Sequence, residues 1–266
     1  MTEADLVAPL SLPARPELTG GRRVGVLVSH GFTGSPASVK PWAQSLADLG
    51  YAVEVPLLPG HGTSWRDLNT RRWEDWYGTV RESFDKLAAE NEVVVVAGLS
   101  MGGGLVLRLA ADLGDRVAGI ILVNPAVATT RKDVLALPVV KHVLGALPGI
   151  ANDIKKPGVR EHGYDRTPLK AAHSMMQNWR PLRDALPQVT APVLLIRSAV
   201  DHVVDPSSAR IIRAGVSSPD VTELVLPDSF HVATLDNDAE TINAESAAFV
   251  ARVVAASRTE VGGAEA

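Results

Sequence analysis

Residues 92–97 (EVVVVA) form the strongest strand in the sequence and run directly into Gly98-Leu99-Ser100-Met101-Gly102, after which helical spacing holds to Leu113. An unbroken run of β-branched residues is the mark of a strand buried on both faces, as in the middle of a parallel sheet. The glycines flanking Ser100 serve a turn too tight for side chains beside it. Such a turn lifts the serine hydroxyl above the sheet at the N-terminus of a helix, where developing negative charge is favoured.

Strands and helices alternate around this unit. Residues 22–29 (RRVGVLVS), 51–56 and 117–123 (VAGIILV) read as strands, and 38–50 and 72–90 as helices. Gly50 marks the end of the first helix. The alternation stops near Pro125 and resumes at Pro192, with strands over 192–197 and 222–226 and helices over 206–215 and 237–257. This order predicts an α/β fold, a mostly parallel sheet flanked by helices. The expected division is an irregular leader over 1–21, a core over 22–124 and 192–257, a helical cap without strands over 125–191, and a frayed tail over 258–266. The interruption falls over the C-terminal edge of the sheet, where α/β folds bind ligands.

A serine hydroxyl needs a base, and the base an orienting carboxylate. Of seven histidines, His231 lies in the loop DSFHVATLD between the last strand and last helix, which returns to the top of the sheet. His30 and His61 sit in the early loops HGFTGS and LLPGHGTS, where backbone shaping or polar packing is the expected work. Asp201 follows the strand VLLIRS at its C-terminal end, whereas Asp205 precedes Pro206 and suits a helix cap. Asp228, close to His231 in sequence, suits a turn. Ser100, Asp201 and His231 are therefore the expected nucleophile, acid and base. Two backbone N–H groups are needed for an oxyanion, and the candidates are Met101, after the nucleophile, and Phe32, after His30-Gly31.

Net charge is −4, so nucleic acid is not an expected partner. With no cysteine, disulfides and thiolate ligands are excluded, and no metal-ligand spacing appears. No metal and no cofactor are expected. The start lacks a basic segment followed by an apolar one, and the longest apolar stretch, 134–150, is broken by Lys141, His142 and two prolines. A cytoplasmic protein is the expectation.

HGFTGSP, PLLPGHGT, WEDWY, GLSMGG, DHVV and HVATLD, in this order over residues 24–249, resemble the bacterial monoacylglycerol lipase and carboxylesterase family of α/β-hydrolases. GLSMGG and HVATLD together lean toward the lipases, and DIKKPGVREHGYDRTP (153–168) is similar to their cap segment. The resemblance implies the same triad and oxyanion amides, no cofactor, a lipid ester substrate, and Glu161 as the residue that receives the glycerol hydroxyls. Residues 128–149 depart from the family pattern. The Leu-, Val- and Ala-rich stretch 126–150 is expected to shield an acyl chain and to touch lipid aggregates, or else to be cap core. A general carboxylesterase on short-chain esters is the alternative.

Overall fold

The computed structural model describes residues 3–150 and 152–262. In chain order, the first half holds α1 (Glu3–Val7), β1 (Leu10–Leu12), β2 (Val24–Ser29), α2 (Lys40–Asp48), β3 (Ala52–Val55), α3 (Trp65–Leu68), α4 (Trp73–Glu90), β4 (Val93–Leu99), α5 (Met101–Leu113) and β5 (Gly119–Val123). The insertion then contributes α6 (Leu137–Val140), β6 (Ala146–Pro148), β7 (Arg166–Pro168) and α7 (Leu169–Ala185). β8 (Val193–Ser198), α8 (Ser207–Gly215), β9 (Val221–Leu226) and α9 (Ala239–Gly262) complete the core.

The sheet has seven strands in the order β1-β3-β2-β4-β5-β8-β9, parallel except for β1, which runs antiparallel to β3. Every residue of β2, β4 and β5 is buried, because side chains alternate between two packed faces. In β4, Val94 and Val96 join α4, α5 and α7 in one core; Val93, Val95, Ala97 and Leu99 join α2 and α9 in the other. On that second face Trp42 donates from Nε1 to Ser246 Oγ at 2.9 Å, fixing α2 against α9.

Three sequence expectations require correction. The leader is not irregular: Leu10-Ser11-Leu12 extends the sheet by pairing with Val53–Val55. The insertion is not strand-free, since β6 and β7 pair antiparallel, with Leu147 opposite Thr167. The expected tail continues as helix to Gly262, and residues 263–266 lie outside the described residues. The three missed strands, β1, β6 and β7, are each three residues long and have prolines in or near them, too short for a period to show.

Candidate active site

Ser100 sits between β4 and α5 with φ 56° and ψ −118°, a conformation that costs a non-glycine residue energy and persists only where its surroundings enforce it. Its neighbours explain the glycines. A Cβ on Gly102 would lie 2.2 Å from the Ser29 carbonyl oxygen, and one on Gly98 would lie 2.4 Å from the Gly102 backbone. The elbow is closed by backbone packing that tolerates no side chain. Ser100 itself is 8% exposed and lines a pocket with Gly31, Phe32, Glu161 and His231.

His231 and Asp201 meet as expected: Nδ1 of the imidazole is 2.8 Å from Asp201 Oδ2, with each side chain 8% exposed. The other Asp201 oxygen accepts the N–H groups of Val203 and Val204, both at 2.8 Å, which fixes the carboxylate. Burial disfavours a charged His231. The hydrogen bond that the imidazole donates to Asp201 and the negative charges of Asp201, Glu161 and Asp153 outweigh it, and hold the imidazole above its ordinary value of 6.5. Among the described residues no hydrogen bond joins the Ser100 and His231 side chains; contacts of this kind tighten when substrate binds. Met101 follows Ser100 as the first residue of α5 and Phe32 lines the serine pocket, and neither backbone N–H has an acceptor among the described residues.

The remaining acids and histidines occupy other positions. Asp205 Oδ1 accepts the Ser207 N–H at 2.9 Å at the start of α8, and its Oδ2 takes the N–H and hydroxyl of Thr130 at 3.0 and 3.1 Å. The N-cap position of α8 is Pro206, and Asp205, one residue before it, holds the helix's first N–H and tethers the insertion. Asp228 pairs with Lys155 at the surface. His30 is wholly buried, accepts the Leu58 N–H on Nε2 at 3.2 Å, and is pushed down to about 4 by burial. It stays neutral and joins the two early loops. His61, beside it, is likewise pushed well down by burial and packs edge-on against Phe32 and Trp76.

Glu161 reaches the pocket from the insertion. Gly34 makes room for it, because a Cβ there would lie 2.5 Å from Glu161 Oε1. Its backbone N–H donates to Asn152 Oδ1 at 2.6 Å. Neither Arg160 nor Arg166 pairs with its carboxylate among the described residues, and Arg166 instead lies over the Trp65 ring. Burial pushes the carboxyl up, opposed by the charge of His231.

Sequence reasoning missed Asn124 and Asp153. Asn124, buried just beyond β5 with φ 44°, donates from Nδ2 to the His231 carbonyl at 2.8 Å and accepts the Ser198 N–H on Oδ1 at 2.8 Å. It ties the histidine loop to the ends of two strands; an Asn-Pro pair ending a strand was the only local sign. Asp153 accepts the His231 N–H at 3.1 Å, and nothing in its irregular segment announces that. Among the described residues, no three His, Asp or Glu side chains cluster closely enough to hold a metal, and no helix is long and apolar enough to cross a membrane.

Comparison with known proteins places the chain in a family. Residues 21–238 match the Hydrolase_4 family, described as serine aminopeptidase, S33. The chain is 37% identical over 248 residues to the thermostable monoacylglycerol lipase of Bacillus sp. (strain H-257), covering 92% of this chain and 97% of that enzyme. It is 24% identical to a carboxylesterase of Bacillus subtilis (strain 168), over 86% of this chain and 92% of the relative. Among solved structures, one of the metagenome-derived lipolytic enzymes LipS and LipT superposes with a TM-score of 0.87 at 38% identity, covering 92% of this chain and 98% of that one. The chain therefore belongs to the bacterial monoacylglycerol lipase and carboxylesterase family of α/β-hydrolases.

Proposed function

We propose that this protein is a monoacylglycerol lipase that works by a Ser100-His231-Asp201 acyl-enzyme mechanism. The family supplies the ester hydrolysis; the observation that carries the substrate choice is Glu161, a half-buried carboxylate that lines the serine pocket and has no hydrogen-bond partner among the described residues. His231 takes the Ser100 proton as the hydroxyl attacks the ester carbonyl. The Phe32 and Met101 amides hold the oxyanion, and His231 returns the proton to the departing glycerol. Water, activated by the same imidazole, then releases the fatty acid. Asp201 keeps the proton on Nδ1 between these steps and stabilises the imidazolium.

A carboxylate that burial has made reluctant to stand alone gains most from donors, and a monoacylglycerol offers two hydroxyls. Di- and triacylglycerols offer one or none. Charge-assisted hydrogen bonds of this kind are worth about 1.5–3 kcal/mol, so Glu161→Ala reduces monoacylglycerol kcat/KM by roughly 10- to 100-fold. Hydrolysis of p-nitrophenyl esters, which carry no glycerol, changes little. The check is kcat/KM for mono-, di- and triacylglycerols and p-nitrophenyl esters at one chain length. Equal losses on every substrate would give Glu161 a structural role, and no loss on any would leave a general carboxylesterase as the better reading.

The cap also supports transient contact with lipid aggregates. Leu135, Val139 and Val143 are 79%, 71% and 81% exposed, so this part of the stretch is not cap core, and the adjoining Val134 lines the serine pocket. Exposed apolar side chains that follow a pocket-lining residue in the chain favour a lipid interface. Replacing Leu135 and Val143 by Ser lowers turnover of dispersed long-chain monoacylglycerol by about 3-fold or more, a small part of the roughly 3 kcal/mol that two fully buried anchors would contribute, because a transient contact buries them only in part. Turnover of a monomeric short-chain ester stays unchanged. Equal rates on dispersed substrate would remove the lipid-contact role.

A further inference from the structure

The loops carrying Asp201 and His231 are joined by one carboxylate from the insertion. Asp153 Oδ2 accepts the His231 N–H at 3.1 Å and the N–H of His202, the residue after Asp201, at 3.2 Å. Its other oxygen lies 2.7 Å from His202 Nδ1, and the Val232 N–H donates to the Asp153 carbonyl at 3.0 Å. The side chain is only 9% exposed. The attachment is reciprocal: Asp236, in the histidine loop, accepts the N–H groups of Lys155 and Lys156 at 2.7 and 2.8 Å. Asp153 does something different, because its one oxygen sets the spacing between the two backbones from which the acid and base project.

We infer that Asp153 is a positioning residue for the catalytic base, fixing the His231 backbone relative to Asp201 and placing a negative charge beside the imidazolium that forms during turnover. The inference rests on the triad reading above. Asp153 lines the same pocket as Glu161, but both of its oxygens are already engaged by groups of the protein, three contacts in all, which distinguishes it from Glu161. The charged groups facing the imidazole are Asp201 from the β8–α8 loop and Glu161 and Asp153 from the insertion, with His202 behind Asp153. All three carboxylates favour the protonated base, so removing one lowers the pH at which the base loses its proton.

The test uses Asp153→Asn and Asp153→Ala in the full chain. An Asn oxygen in place of Oδ2 still accepts both backbone N–H groups, while its charge is gone. The pH profile of kcat/KM on a p-nitrophenyl ester, and the rate of Ser100 labelling by a fluorophosphonate, are read for each. For Asp153→Asn the acid limb moves down by about half a pH unit or more, with the plateau within about 3-fold. For Asp153→Ala kcat on the plateau falls roughly 10- to 100-fold while KM holds, since misplacing the base by an ångström costs on this order. An unshifted acid limb in Asp153→Asn would overturn the inference, because a mere anchor would give that result whatever the alanine variant does. Should Asp153→Ala fail to fold, the Asn profile decides alone. Failure of the wild-type Ser100 to label would instead bring down the triad reading, and the inference with it.

Discussion

Ser100→Ala lowers kcat by roughly 10^4 or more and leaves the protein folded. The structure gives reasons for both halves. Ser100 holds φ 56° because Gly98, Gly102 and Ser29 close the turn around it, and alanine carries the same Cβ into the same strain. The hydroxyl makes no hydrogen bond to the protein among the described residues, so its removal breaks nothing the fold uses. What is lost is the nucleophile, with the Phe32 and Met101 amides and the acyl pocket left to provide residual catalysis. His231→Ala costs a similar factor, and the double variant is little worse than either, because hydroxyl and base act as one unit. Circular dichroism at matched concentration and kcat on a p-nitrophenyl ester settle it. Turnover near wild type in either single variant would remove Ser100 or His231 from the mechanism.

What could be read from the sequence follows the range of the interactions involved. The central strands announced themselves because burial on both faces demands an unbroken apolar run, and 92–97 and 117–123 lie within two residues of β4 and β5. The turn at Ser100 was legible because its glycines answer a local steric demand. β1 was not: Leu10-Ser11-Leu12 is a strand only because Val53–Val55 lies beside it, about forty residues later. The β6–β7 ribbon is illegible for the same reason. In the site, Asp201 and His231 could be placed by their positions after strands, and Glu161 came from the family resemblance rather than from any spacing. Asp153 and Asn124 were missed because their partners are backbone groups of distant loops, and no residue type or interval encodes a bond to another segment's N–H or C=O.

Asp201→Asn and Asp205→Asn separate two acids four residues apart, and the geometry fixes which way the new amide must turn. Asp201 Oδ1 accepts two backbone N–H groups, from Val203 and Val204, while Oδ2 faces His231 Nδ1. An asparagine there keeps its oxygen on the two N–H donors, since the reverse orientation would set an NH2 against both in a buried site. Its NH2 therefore points at His231 Nδ1 and makes that nitrogen an acceptor. The imidazole proton moves to Nε2, and no lone pair remains there to take the Ser100 proton. The expected loss in kcat is about 10^4 with little change in folding. In Asp205→Asn the oxygen can still hold the Ser207 N–H at the start of α8, because an Asn oxygen accepts there as an Asp oxygen does, and the amide loses part of its hold on Thr130. Stability then falls by about 1 kcal/mol, from weakened hydrogen bonds at a partly exposed tether, and kcat stays within a few-fold. Measuring kcat and the urea midpoint for both variants decides the assignment: collapse of turnover with Asp205→Asn alongside its survival in Asp201→Asn would mean that Asp205, not Asp201, orients His231.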